Sequence, residues 1–244
     1  NEKWMEETPL KIECVWEHHG NDSLIFSSNL IGAFTRGTSK EDALKKMPQE
    51  IASYCAWTGQ SVTLPFDVVI TQEKVSDLNI RDADSDVIFD SERVGLAMDE
   101  YAELKTLVLK SANDFHRLYD SFPGKNQSCM PQRETFYGKV PRTAEEMYQH
   151  TKNVNAYYWG EIGIEADNDG TIWENRLRGF EALEKNGDFL TGHVVEGSYG
   201  EQWSLRKVLR RFIWHDRIHA KAMYRLGVKC YGSALIPNDF HFGR

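Results

Sequence analysis

Residues 205–227, LRKVLRRFIWHDRIHAKAMYRLG, decide how this chain is read. Alternating steps of three and four from Leu205 reach Val208, Phe212, His215, His219, Ala222 and Leu226. Such steps keep to one face of an α-helix. The apolar stripe therefore runs through two histidines four residues apart, and both are expected to face inward. Arg210, Arg211, Arg217 and Lys221 fall off the stripe and are expected to face water.

A second helix gives the same pattern independently. TAEEMYQHTKNVNAYYW, residues 143–159, opens with a capping box in which Thr143 and Glu146 satisfy each other's backbone donors. Its stripe is Met147, His150, Val154 and Tyr157. Three inward histidines on two helices each need a partner, because a buried unsatisfied imidazole costs about 1–3 kcal/mol. A divalent metal satisfies all three at once. Residues i and i+4 lie about 6 Å apart on a helix face, so His215 and His219 can reach one ion. His150 from the facing helix completes a three-histidine site with an open position.

Near that site, Asp216 and Tyr157 are the catalytic or ligand-orienting candidates. Arg211 and Arg217, which flank the pair, are the substrate-binding candidates because arginine grips a carboxylate bidentately. The segment HDRIH also resembles the zincin HExxH with Asp216 in the glutamate's place and Asp239 as a third ligand, but the shorter side chain reaches less well. His18 and His19 sit at a strand end, His116 is peripheral, and His193 and His241 lie in loops.

Working outward, two more helices complete a bundle of four. One is expected from about Ser91 to Ser121, with Val94, Ala97, Tyr101, Leu104, Val108, Ser111, Phe115 and Leu118 on its buried face. The other opens with a second capping box, Thr171 to Glu174, and presents Trp173, Leu177 and Phe180. Two long aromatic connections, 123–142 and 188–203, read as lids over a core site. Cys129 in the first is a reactive-thiol candidate that no motif supports.

The first 70 or so residues have another period. PLKIECVWEH and SLIFSSNLIGAFTRG alternate like paired strands around the turn GND, and PFDVVITQEKV returns as a strand. Between them TSKEDALKKMPQEIASYCAWTGQ reads as a helix capped by Thr38 or Ser39, buried through Ala43, Met47, Ile51 and Tyr54 or Cys55, and kinked at Pro48. The acidic stretch SDLNIRDADSD has little to bury and reads as a linker. The fold class is therefore α+β: a small β-β-α-β domain over 1–85, then an all-α four-helix bundle over 86–244.

With 244 residues the chain is long enough for two domains. Its net charge of −8 argues against nucleic acid as a partner, while leaving room for a small anionic substrate. Cys14, Cys55, Cys129 and Cys230 form no CxxC pair, and their spacing suggests no disulfide framework, so free thiols in a reducing cytosol are expected. No apolar run reaches the roughly 18–20 residues that span a bilayer, and no leader peptide is visible, so the expected location is cytoplasmic.

The last 155 or so residues resemble the DinB-like (YfiT-like) four-helix bundle metalloproteins, in EEMYQHTKNVNAYYW and WHDRIHAKAMYRLG. The resemblance implies that His150, His215 and His219 bind a divalent metal. It also implies thiol-dependent transferase or isomerase chemistry; the bundle is shared with sulfoxide synthases, whose extra catalytic domain has no counterpart here. The first 70 residues resemble a HicB-like domain in IGAFTRGTSKEDALKKMPQEI. No helix-turn-helix follows, so this is a hint of fold rather than of toxin or RNA binding.

The expected protein is thus a metal-dependent transferase, isomerase or hydrolase acting on a small molecule. It would carry Zn²⁺, Ni²⁺ or Fe²⁺, use a low-molecular-weight thiol as co-substrate, and have room to act as a homodimer away from any membrane. The alternative is a non-catalytic metal-binding stress-response or interaction protein whose N-terminal domain mediates assembly.

Overall fold

Alternating burial along Leu10–His19 (β1) places Ile12 and Cys14 on one face of a sheet, while Val15 packs into a cluster on the other. The structure, a computed structural model, describes residues 9–62 and 65–243. β1 pairs antiparallel with Asp22–Ser27 (β2), which pairs with Phe34–Gly37 (β3). Lys40–Thr58 (α1) then crosses over to Phe66–Val75 (β4), which lies parallel to β1 in the order β3-β2-β1-β4.

The expected β-β-α-β order is thus β-β-β-α-β. The run 23–37 breaks where Ser27 Oγ accepts from Leu30 N at 3.0 Å and Gly32 adopts φ +98°. Ser39 caps α1 by accepting from Asp42 N at 3.1 Å, and the helix runs on through Pro48. Ala43, Met47, Ile51 and Tyr54 are buried as the pattern predicts.

Residues 76–86 are not a bare linker. Ile80 is buried and packs with Val15, Leu24, Phe26, Phe89 and Trp214. The buried Glu17 carboxylate accepts from Ser85 Oγ at 2.5 Å, Asp86 N at 3.1 Å and Val87 N at 3.2 Å. An acidic run looks expendable in sequence, yet its backbone donors satisfy a carboxylate from β1.

Five helices follow: Met98–Asp120 (α2), Ala144–Lys152 (α3), Asn155–Glu161 (α4), Ile172–Glu184 (α5) and Leu205–Tyr231 (α6). The first starts seven residues later than expected (98 rather than 91). Before it, Leu96 N donates to Leu190 O at 2.9 Å, which holds the chain extended and leaves Val94 exposed. The expected second helix is two, α3 and α4, broken at Asn153–Val154. Asn155 fixes the break: its Nδ2 donates to Asp167 O at 2.7 Å and Asn175 O at 2.8 Å. Thr143 caps α3 as predicted, although Glu146 returns its bond to Arg142 N rather than to Thr143. Thr171 and Glu174 form the full reciprocal box on α5. There Phe180 is buried as expected, but Ile172 and Arg176 take the buried places expected of Trp173 and Leu177, and Trp173 is exposed.

α6 is buried on two sides. Leu205, Val208, Phe212 and Leu226 pack among the helices as predicted. Its opposite side meets the sheet unit: Trp214 lies edge-on to Phe26 and Phe34, and a Cβ on Gly32 would stand 2.3 Å from Ile213 Cγ2. Only glycine allows that approach. One apolar core therefore runs from Ile12, Cys14 and Ile25 through α1 to Val108, Phe115 and Phe180. Among the described residues no helix is long and apolar enough to cross a membrane.

The second layer overturns the expectation that the α6 cations face water. Arg210 is buried over the Phe89 ring, with Nε 2.6 Å from Glu92 Oε2. Arg217 pairs with Glu50 of α1, and Lys221 Nζ lies 2.5 Å from the same carboxylate. Arg211 is buried between Ser85 O at 3.0 Å and Glu201 Oε1 at 2.9 Å. Positions off one apolar stripe are solvent-facing only when the helix has one neighbour.

Candidate metal centre

His150 comes from the last turn of α3, and His215 and His219 come from the middle of α6. The stripe of α6 is fully buried at both ends and half-buried at His215, His219 and Ala222. That change marks where a cavity of about 800 Å³ opens against the helix.

The three imidazoles converge. His150 lies 4.5 Å from His219 and 5.2 Å from His215, centroid to centroid, and His215 lies 4.4 Å from His219. One ligand nitrogen from each falls within 4.8 Å of the other two. The Nε2 atoms of His215 and His219 stand 3.1 Å apart. Two nitrogens held by one ion at ~2.0–2.1 Å each stand about that far apart.

Burial holds the His150 imidazole below its ordinary pKa. Burial, then the neighbouring imidazoles, holds His215 and His219 well below theirs. All three therefore present neutral rings with a free lone pair at neutral pH, the form that ligates a metal. Among the described residues, none of the three hydrogen-bonds a carboxylate or a carbonyl, and the buried Nδ1 of His215 has no partner. Buried polar groups are ordinarily satisfied, so this donor set fits a cation.

The other sequence candidates are scattered. Asp216 points away from the cavity. Its buried carboxylate takes Arg176 of α5 in a fork at 2.6 and 2.7 Å and Ser111 Oγ of α2 at 2.6 Å. It is a structural anchor, and Asp239 lies beside Arg117 at 3.4 Å, so neither supports a zincin-like reading. Arg217, expected beside substrate, is enclosed by Tyr54, Trp57 and Phe242 on the far side of α6. Arg211 does line the cavity, although Glu201 already holds it. Tyr157 lines the cavity too, but is more than a third exposed rather than inward; the break before α4 advances the phase, and Tyr158 turns in instead. The Tyr158 ring stands 6.0 Å from His215. His18 binds Glu73, and His116 binds Tyr148 Oη, both outside the cavity.

Sequence reasoning missed most of the cavity wall. Arg36 of β3, Arg133 before β5 (Glu134–Thr135) and Arg225 of α6 all face into it. None of the three has a carboxylate within ion-pair distance among the described residues. Tyr137, just before β6 (Gly138–Lys139), stands 5.6 Å from His150. From the other long connection come Glu201 and an exposed Tyr199 at φ +63°, a left-handed conformation uncommon for a side-chain-bearing residue. Asp82, Asp84 and Asp86 line the remaining wall, so the N-terminal unit contributes directly to the cavity. Signals for these residues were absent because each comes from a separate segment with no local motif.

No family model, curated protein or solved structure matches this chain. The site stands on its own geometry.

Proposed function

We propose that this protein is a divalent-metal-dependent enzyme in which His150, His215 and His219 hold Zn²⁺, Ni²⁺ or Fe²⁺ beside a cavity for a small anionic substrate. The carrying observation is the convergence of three neutral imidazoles, without carboxylate or carbonyl partners, on a cavity of about 800 Å³. The reading agrees with the resemblance to DinB-like bundle proteins in the stretches around these histidines. Three imidazoles accept several divalent metals, so the donor set does not choose among the ions.

A divalent ion at such a site supplies a Lewis acid and lowers the pKa of a coordinated water or thiol. That chemistry suits transfer or isomerisation with a low-molecular-weight thiol, or hydrolysis. The chain's own residues supply the rest. Arg36, Arg133 and Arg225 set a positive rim on a protein of net charge −8, which favours a carboxylate, sulfonate or phosphate group on the substrate. The Tyr137 and Tyr158 rings flank His150 and His215 and give the cavity an aromatic wall beside them. Glu201 fixes the Arg211 guanidinium at the wall.

Elemental analysis of protein purified without added metal tests the ligand set. Wild type is expected to carry close to one equivalent, and His215→Ala almost none; equal content in the two removes His215 from the site. Cobalt substitution then tests the enzyme reading. An absorption spectrum that shifts on adding azide or a small thiol reports an open coordination position. An unchanged spectrum favours the alternative, a non-catalytic metal-binding protein.

A further inference from the structure

Cys129 and Cys230 are 101 positions apart in sequence, yet their sulfurs stand 2.9 Å from one another. Cys129 is exposed, in the connection between α2 and α3. Cys230 is half-buried in the last turn of α6. The other two thiols are buried in the core.

The place of the pair gives it meaning. Tyr231, next to Cys230, has its hydroxyl 3.1 Å from Gly124 O and 3.2 Å from Gln127 Oε1, which holds the stem of the connection against α6. Beyond Cys129 the same connection carries Arg133, Phe136 and Tyr137 onto the cavity wall. That far part is held by the two-residue pairing of β5 with β6 and by Val140 N to Arg133 O. A covalent tie at 129 would therefore act on the segment that covers the cavity, from the helix that carries His215 and His219.

We propose that Cys129 and Cys230 form a reversible intramolecular disulfide that ties this covering segment to the end of α6. The oxidant class is a hydroperoxide. The exposed Cys129 sulfur attacks the peroxide oxygen; the O–O bond breaks, an alcohol or water leaves, and Cys129 becomes a sulfenic acid. The Cys230 sulfur then attacks the Cys129 sulfur, the S–S bond forms and the hydroxyl leaves as water with the remaining thiol proton. Two thiols are oxidised by two electrons and one peroxide is reduced. The bond between the sulfurs and partial burial hold the Cys230 thiol above its ordinary pKa, and oxidation of Cys129 removes that bond. Burial pushes Cys14 up to about 12 and raises Cys55, which keeps both as inert thiols. The bridge requires no ion at the histidines, so it stands or falls apart from the metal reading.

The test uses the full chain, both zinc-loaded and after chelation, treated with hydrogen peroxide and then alkylated under denaturing conditions. Oxidised protein is expected to lose the mass of two hydrogens and to leave two thiols alkylatable. A peptide map should join the 129 and 230 peptides, and dithiothreitol should restore four free thiols. Cys129→Ser should keep three alkylatable thiols, whereas Cys230→Ser should keep two, its Cys129 stopping as a sulfenic acid that dimedone labels. Limited trypsin cleavage at Arg133 and Lys139 should slow several-fold in oxidised wild type and not in either variant. Four free thiols after peroxide, a bridge between chains, or Cys129 stopping at sulfinic acid would overturn the bridge. Unchanged cleavage with the bridge formed would overturn its action on the segment.

Discussion

The two sides of α6 treat buried polar groups differently. On the side away from the cavity, each charge has an opposite number. Asp216 takes Arg176 and Ser111, while Glu50 takes Arg217 and Lys221. On the cavity side three imidazoles stand together with only each other for company. The first arrangement is complete within the chain and locks the helix between its layers. The second is incomplete, and such an excess of lone pairs at one point makes sense when something from outside is bound. A buried ion pair and a ligand site use the same residue types; the difference lies in whether the protein has closed the set.

That contrast breaks first at Asp216. Asp216→Ala strands a fully buried guanidinium, Arg176, and is expected to cost about 3–5 kcal/mol in denaturant unfolding. A loss under 1 kcal/mol would mean that the fork does not anchor α6.

The cavity side should behave in the opposite sense. Saturating zinc at about 100 times its dissociation constant is expected to stabilise wild type by ~2.7 kcal/mol. His215→Ala and His219→Ala should lose that gain while unfolding, without metal, close to metal-free wild type. Equal zinc stabilisation in the variants would end the distinction between the two sides.

The pH dependence of the metal-free protein sharpens it further. His150, His215 and His219 stay neutral in the fold below their ordinary value of 6.5, so the unfolded chain binds more protons there. Stability is then fully present above pH 6.5 and lost as pH falls below it, by up to about 1.4 kcal/mol per pH unit for each such imidazole. Glu17 opposes this, because burial raises its carboxyl from 4.5 to about 7. Its contribution is greatest below pH 4.5 and is lost as pH rises through 7. Three groups outweigh one, so metal-free wild type should weaken between pH 6.5 and 5 in chemical unfolding. His219→Gln should weaken with a shallower slope; identical slopes would place His219 in water.

The smallest effect on stability belongs to the rim. Arg36→Ala and Arg225→Ala remove exposed cations that have no ion-pair partner among the described residues and should shift unfolding by less than about 0.5 kcal/mol. Metal content should be unchanged, while binding of small dicarboxylates to the metal-loaded protein, followed by calorimetry, weakens several-fold. Unaltered binding would remove the rim from substrate recognition.

The histidines were legible because a stripe of alternating three and four steps is a local property of one helix. Thr143 and Thr171 were legible as helix starts for the same reason. What failed depends on neighbours. Arg210 and Arg217 look like surface residues until a sheet and α1 cover their side of α6. Tyr157 looks inward until Asn155, pinned by carbonyls twelve and twenty residues away, ends the helix before it. Arg36, Arg133 and Arg225 meet at one cavity from three distant segments, and Cys129 meets Cys230 across 101 residues. No period or short motif records such meetings.

Because α6 serves both layers through a single rotational phase, its spacing tolerates no slippage. One residue inserted between Trp214 and Arg217 would turn everything beyond it by about 100°. His219 would swing out of the histidine cluster at the same stroke that Arg217 left Glu50. Within this one cylinder, divergent versions of this chain can therefore exchange residues but never add or delete them.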